Sequence, residues 1–174
     1  REGVKKAVDF QAELILAVGG GSAIDTAKAV AVGAANPGID IWDVWMGKAS
    51  VTKAKAVGAV LTISAAGSEM SDSAVITNGE TGKKAGFNSD IVRPKFALMN
   101  PELTYTLPKY QLSCGIVDIL MHTLERYFTP VSGNQLTDEI AEGLMRTVIE
   151  NGKIAFENQE DYDAMSEIMW CGSL

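Results

Sequence analysis

Histidine is almost missing from this chain. His122 is the only one in 174 residues, and cysteine stops at two, Cys114 and Cys171. Two thiols so far apart in sequence make no disulfide framework, and a reducing cytoplasm is the expected compartment. No apolar run approaches the roughly 20 residues of a membrane span, and the N-terminus lacks a signal-type pattern, so no membrane partner is expected. Basic clusters are missing as well: the net charge of −7 stands unopposed and repels nucleic acid. No internal repeat or low-complexity tract occurs. What remains is 47% hydrophobic and 21% charged, enough to bury a real core. The chain opens with helical character over residues 1–10 and stops inside an apolar pattern at Leu174, which reads as an internal piece of something longer.

The most informative stretch is residues 14–28, an apolar strand that meets three glycines and turns straight into an alanine-rich helix. Glycine admits positive φ and the close approach of a ligand. Ser22, read as the N-cap, leaves N–H groups and a positive dipole end facing outward. This is phosphate-cradling chemistry, although a tight turn without ligand has the same sequence. Two common motifs are excluded. A Rossmann fingerprint counted from Gly19 and Gly21 needs Gly or Ala where Ile24 stands, and no Gly-Lys-Ser/Thr closes a P-loop.

Two textures divide the chain near Leu107 and Pro108, which predicts an α/β part over 1–107 and a helical part over 108–174. In the first, residues 14–18 read as a parallel strand buried on both faces, 22–35 as a helix stopped by Asn36-Pro37-Gly38, and 57–63 as a second buried strand. Residues 74–77 and 84–87 form a predicted hairpin across 78–82, and 95–99 a further strand. After Pro108, helical spacing covers 108–128, 134–150 and 159–170, with turns predicted at 129–133 and at Asn151-Gly152.

Asp118 and His122 lie four residues apart and leave one helix face a turn apart. A carboxylate and an imidazole at this spacing make half a site for Zn²⁺ or Fe²⁺, but such metals take three or four ligands; the residues alone equally describe an ordinary surface pair. Cys114, among Leu112, Ile116 and Val117, reads as a small core residue rather than a third ligand, and Glu125 as a solvated carboxylate. Thr62, Ser64 and Ser68 follow a strand's carboxyl end, where α/β folds bind ligands. Ser-Ala-Ala-Gly-Ser is not a nucleophile elbow, so a serine hydrolase is not expected. Lys84 could reach a phosphate or ribose, or simply solubilise the hairpin. Trp42, Trp45 and Met46 read as core or interface.

Taken together, Ala17-Val-Gly-Gly-Gly-Ser-Ala-Ile-Asp-Thr-Ala-Lys28, Leu61-Thr-Ile-Ser-Ala-Ala-Gly-Ser-Glu-Met70 and the stretch from Leu107 to Glu125 resemble the iron-containing alcohol dehydrogenase family, in its butanol dehydrogenase and aldehyde reductase branch. The resemblance runs essentially end to end. It implies the iron-type alcohol dehydrogenase or dehydroquinate synthase-like architecture, incomplete here at both ends. The implied reaction is hydride transfer between NAD(P)(H) and a primary alcohol or aldehyde, with NADP ahead of NAD and Fe²⁺ or Zn²⁺ polarising the substrate oxygen. By the same resemblance Gly20, Gly21, Ser22, Asp25, Thr62, Ser68, Lys84, Leu103 and Thr106 bind the cofactor, Asp118 and His122 are the first two metal ligands, and the full-length protein is a homodimer. Ala66 departs from the Thr common in the family and Asn100 from the usual Asp. The family's two remaining ligands are later histidines, which this chain lacks. The alternatives are a glycerol dehydrogenase-like or dehydroquinate synthase-like relative, or a non-catalytic nucleotide-binding fragment.

Overall fold

A computed structural model describes all residues, 1–174, which divide into two units: 1–61 with 68–98, and 62–67 with 99–174. No helix is long and apolar enough to cross a membrane.

The first unit runs α1 (Glu2–Asp9), β1 (Leu14–Gly19), α2 (Gly21–Ala35), α3 (Ile41–Trp45), β2 (Ala56–Leu61), β3 (Ser73–Thr77), β4 (Lys84–Asn88) and β5 (Phe96–Leu98). Strands β1, β2 and β5 form a parallel sheet in the order β1-β2-β5, with Leu16 beside Gly58 and Gly58 beside Phe96. Strands β3 and β4 pair as the predicted hairpin, Thr77 opposite Lys84. The Asn78 side chain accepts from the Glu80 N–H inside the turn. Helix α2 is rich in alanine and glycine because it is crowded: Ile24, Ala27, Ala29, Ala31, Val32 and Ala34 are all buried. A Cβ on Gly33 would lie 2.5 Å from a Val4 methyl of α1, so a larger side chain would push that helix away. Trp45 belongs to the core, its Nε1 donating to the Ala74 carbonyl at 2.9 Å and its ring 4.8 Å from Phe87.

Strand β1 corrects the expectation of burial on both faces. Ala17 is buried, but Leu14, Leu16 and Val18 are 44%, 51% and 62% exposed. Side chains alternate across a strand, and nothing in the chain covers the second face, which Phe96 and Leu98 extend.

The second unit packs α4 (Lys109–Tyr127), α5 (Gln135–Glu157) and α6 (Tyr162–Ser173) around Leu112, Ile119, Val148, Ala155, Met165 and Ile168. The turn expected at Asn151-Gly152 does not form. Asn151 donates its side-chain N–H to the Thr147 carbonyl at 2.9 Å, and a Cβ on Gly152 would stand 3.1 Å from an Ile116 methyl. This glycine serves close helix packing rather than a turn. Asn100, replacing the usual Asp, still caps its turn by accepting from the Glu102 N–H.

Candidate functional site

The glycine turn is built as an open helix start. Gly19 takes φ +152°, and a Cβ there would meet the Ala23 methyl at 2.7 Å, so this position requires glycine on two counts. The N-cap is Gly20, not Ser22. No side chain caps α2, and Ser22 stands exposed in its first turn with its carbonyl accepting from the Thr26 hydroxyl at 2.7 Å. The N–H groups of Gly21 and Ser22 therefore have no partner within the helix and share its positive dipole end. A Cβ on Gly21 would lie 3.2 Å from Ser68 Oγ, so the serine loop rests directly on this turn.

Asp25 follows one turn later. Its Oδ2 accepts from the Val75 N–H at 2.9 Å, while Oδ1 is buried with no hydrogen-bond partner. Burial raises this carboxyl above its ordinary value. The Val75 N–H, then the nearby Lys28 charge, the Ser68 hydroxyl and Lys84, pull it part of the way back. Oδ1 thus has no partner at hydrogen-bond geometry, although the Ser68 hydroxyl is near enough to the carboxylate to favour its charged form. Ser22, Asp25, Thr77 and Lys84 all line one cavity of about 540 Å³, Lys84 reaching it through its pairing opposite Thr77. The structure thus brings Gly20, Gly21, Ser22, Asp25, Ser68 and Lys84 together in the first unit, whereas Thr62, Leu103 and Thr106 belong to the second. There Thr62 directly follows the end of β2, and Leu103 lies in a short turn, Pro101–Thr104. Gln159 secures that turn, donating to the carbonyls of Thr104 and Leu107 at 2.9 Å each. Thr106 is exposed beyond it.

Lys28 was passed over in the sequence reading. It is fully buried, and its Nζ donates to the Ser71 carbonyl at 2.9 Å, the Ser71 hydroxyl at 3.2 Å and the Ser73 carbonyl at 2.7 Å. The available signal was the only cation of α2, set between Ala27 and Ala29 in an alanine-rich helix.

On α4 the buried residues Leu112, Gly115, Ile119 and Thr123 recur at helical spacing and define the packed face. Asp118 and His122 each precede a buried residue, which places them at the margin of that face. Their side chains are 45% and 43% exposed, with His122 Nε2 3.7 Å from Asp118 Oδ2. Cys114 corrects its reading as core: helical spacing carries it away from the Leu112 and Ile119 face, and it is exposed. No group of three or more His, Cys, Asp or Glu able to hold a metal occurs. The donor set fits Fe²⁺ or Zn²⁺ in kind, one carboxylate and one imidazole, and supplies two of the ligands such an ion takes.

Comparison with known proteins decides the family. The model for iron-containing alcohol dehydrogenases matches residues 1–101, and that for the C-terminal region of the Fe-containing alcohol dehydrogenase family matches 113–174. The chain belongs to the iron-containing alcohol dehydrogenase family. Over 174 residues this chain is 44% identical to NADH-dependent butanol dehydrogenase A of Clostridium acetobutylicum, covering 100% of this chain and 44% of that protein. It is 40% identical over 172 residues to the NADPH-dependent aldehyde reductase YqhD of Escherichia coli, covering 98% and 44%. The crystal structure of NADH-dependent butanol dehydrogenase A from Thermotoga maritima superposes with a TM-score of 0.95 at 42% identity, covering 99% of this chain and 43% of that one. The chain therefore spans about 44% of the length of these relatives.

Proposed function

We propose that the full-length protein containing this chain is a metal-dependent alcohol dehydrogenase or aldehyde reductase that uses a nicotinamide dinucleotide. The Asp118–His122 pair at the margin of α4 carries the reading, because a carboxylate and an imidazole one turn apart supply two ligands in a family named for its iron. In this reading Gly20, Gly21 and Ser22 present the uncapped N–H groups of α2 to the pyrophosphate, and Lys84 adds a positive charge. Asp25 Oδ1, buried without a donor, accepts from a cofactor hydroxyl. Ser68 sits against the glycine turn, and Thr62, Leu103 and Thr106, which lie in the second unit, are cofactor contacts by resemblance to the family alone. Asp118 and His122 would hold the cation together with ligands outside this chain. When bound, the metal supplies Lewis acidity to the substrate oxygen and the nicotinamide the hydride donor or acceptor, so no side-chain nucleophile is required. Relatives are named for both NADH and NADPH dependence, and fluorescence titration with each nucleotide reads which form this chain prefers. The full-length protein should lose bound iron or zinc and aldehyde-dependent NAD(P)H oxidation on Asp118→Ala or His122→Ala. Stoichiometric metal retained by the His122→Ala variant would refute the assignment.

A further inference from the structure

We propose that Lys28 is a positioning residue for the nucleotide site, holding the segment 68–75 so that Ser68 stays seated on the glycine turn. The inference rests on the reading of that turn as the cofactor site. Helix α2 grips this segment from below with two residues three apart. Lys28 donates to the Ser71 carbonyl, the Ser71 hydroxyl and the Ser73 carbonyl, and Asp25 accepts from the Val75 N–H. Ser68 lies three residues before the first of these anchors, with its hydroxyl 3.2 Å from where a Cβ on Gly21 would stand. From the surface, Arg93 adds a single bond to the Met70 carbonyl.

Among these anchors Lys28 alone is wholly buried and takes three acceptors at once. An ammonium has three protons to donate, and here each finds an oxygen of the same short segment. No other side chain in α2 could do this: the reach from a crowded helix face needs the length of lysine, and two of the three acceptors are backbone carbonyls with fixed positions. Burial lowers the pKa of Lys28, and Asp25, then Asp72 and Glu69, pull it back up, so the ammonium is held by carboxylates as well as by its acceptors. The same helix therefore presents its N-terminal N–H groups at one end and fixes the opposing serine loop from its second and third turns. Without Lys28 the two walls of the turn lose their common frame.

The test is a double-mutant cycle on NADPH and NADH affinity, read by fluorescence titration of the full-length protein. Ser68→Ala and Lys28→Met should each weaken binding about tenfold, and the double variant should also bind about tenfold more weakly than the native protein. A lysine that acts only on overall stability would leave the affinity of Lys28→Met native, and one that reaches the nucleotide by a route other than Ser68 would make the two effects independent, so that the double variant would lose about a hundredfold. Multiplying effects, or native affinity in Lys28→Met, would overturn the proposal while leaving the nucleotide site intact. Failure of the native protein to bind either nucleotide, or native affinity in Ser68→Ala, would overturn the reading of the site itself and the Lys28 proposal with it. Should Lys28→Met not fold, Ser71→Ala removes only the side-chain acceptor. It should weaken binding about threefold and show the same non-additivity with Ser68→Ala; native affinity in Ser71→Ala would refute the proposal.

Discussion

Replacing Gly115 by alanine should destabilise the helical unit, while the same replacement at Gly143 should stabilise it. Both glycines lie inside helices, α4 and α5, where alanine is favoured by about 1 kcal/mol. Their surroundings differ. A Cβ on Gly115 would collide with the backbone carbonyl oxygen of Ser64, whereas one on Gly143 would find only the Arg146 guanidinium at 4.0 Å. A flexible side chain can move aside, but the carbonyl of Ser64, itself a buried residue, cannot do so without shifting the chain around it. Overpacking of that kind costs about 1–3 kcal/mol, and the upper part of the range applies against backbone. Subtracting the propensity gain leaves Gly115→Ala about 1–2 kcal/mol less stable than the native chain, and Gly143→Ala up to about 1 kcal/mol more stable. The two variants then differ by about 2–3 kcal/mol, and with urea m-values of about 1–3 kcal/mol/M their midpoints should separate by about 1–3 M in unfolding followed by far-ultraviolet circular dichroism. Equal midpoints for the two variants would show that α4 does not rest on the Ser64 carbonyl.

Two further predictions concern the first unit. Asp25 titrates above its ordinary value of 3.8 when folded, so the native state keeps this proton over a window in which the unfolded chain has released it. The contribution of Asp25 is therefore most favourable below pH 3.8 and falls as pH rises through the folded value. Asp25→Asn should abolish that slope, and urea midpoints of the two proteins that run parallel across the window would contradict the assignment. On the uncovered sheet face, Leu16→Lys with Leu98→Lys should reduce binding of the dye ANS to this chain at little cost in stability, since both leucines are more than half exposed. Undiminished dye fluorescence would place the apolar surface elsewhere.

Much of the candidate site could be read from local sequence because its parts are local. The strand, the glycines and the helix that make the phosphate-type turn occupy consecutive residues, and Asp118 and His122 are related by nothing more than helical spacing. The glycine that needs positive φ was among the three expected, but which glycine caps the helix depended on where α2 begins, and Ser22 lost that position to Gly20. Lys28 was not legible as part of the site. Its three acceptors lie more than 40 residues away, and a lone lysine in an alanine-rich helix says nothing about what it will meet. Cys114 and Asn151-Gly152 failed for a related reason. Composition around Cys114 is apolar, yet its angular position faces outward; Asn-Gly is a turn signal, yet Ile116 of a neighbouring helix requires a small residue there.

The amino-acid sequence by itself determined the α/β and helical textures, the glycine turn and the one-turn spacing of Asp118 and His122, because each is a matter of periodicity or of residues within one turn of one another. Tertiary structure alone decided that Asp25 keeps one oxygen buried without a donor, that Ser68 lies on Gly21, that Lys28 binds the segment beyond it, and that one face of the sheet stays uncovered. Those outcomes depend on which distant segment is packed against each position, and burial, not residue type, sets the need for a hydrogen-bond partner.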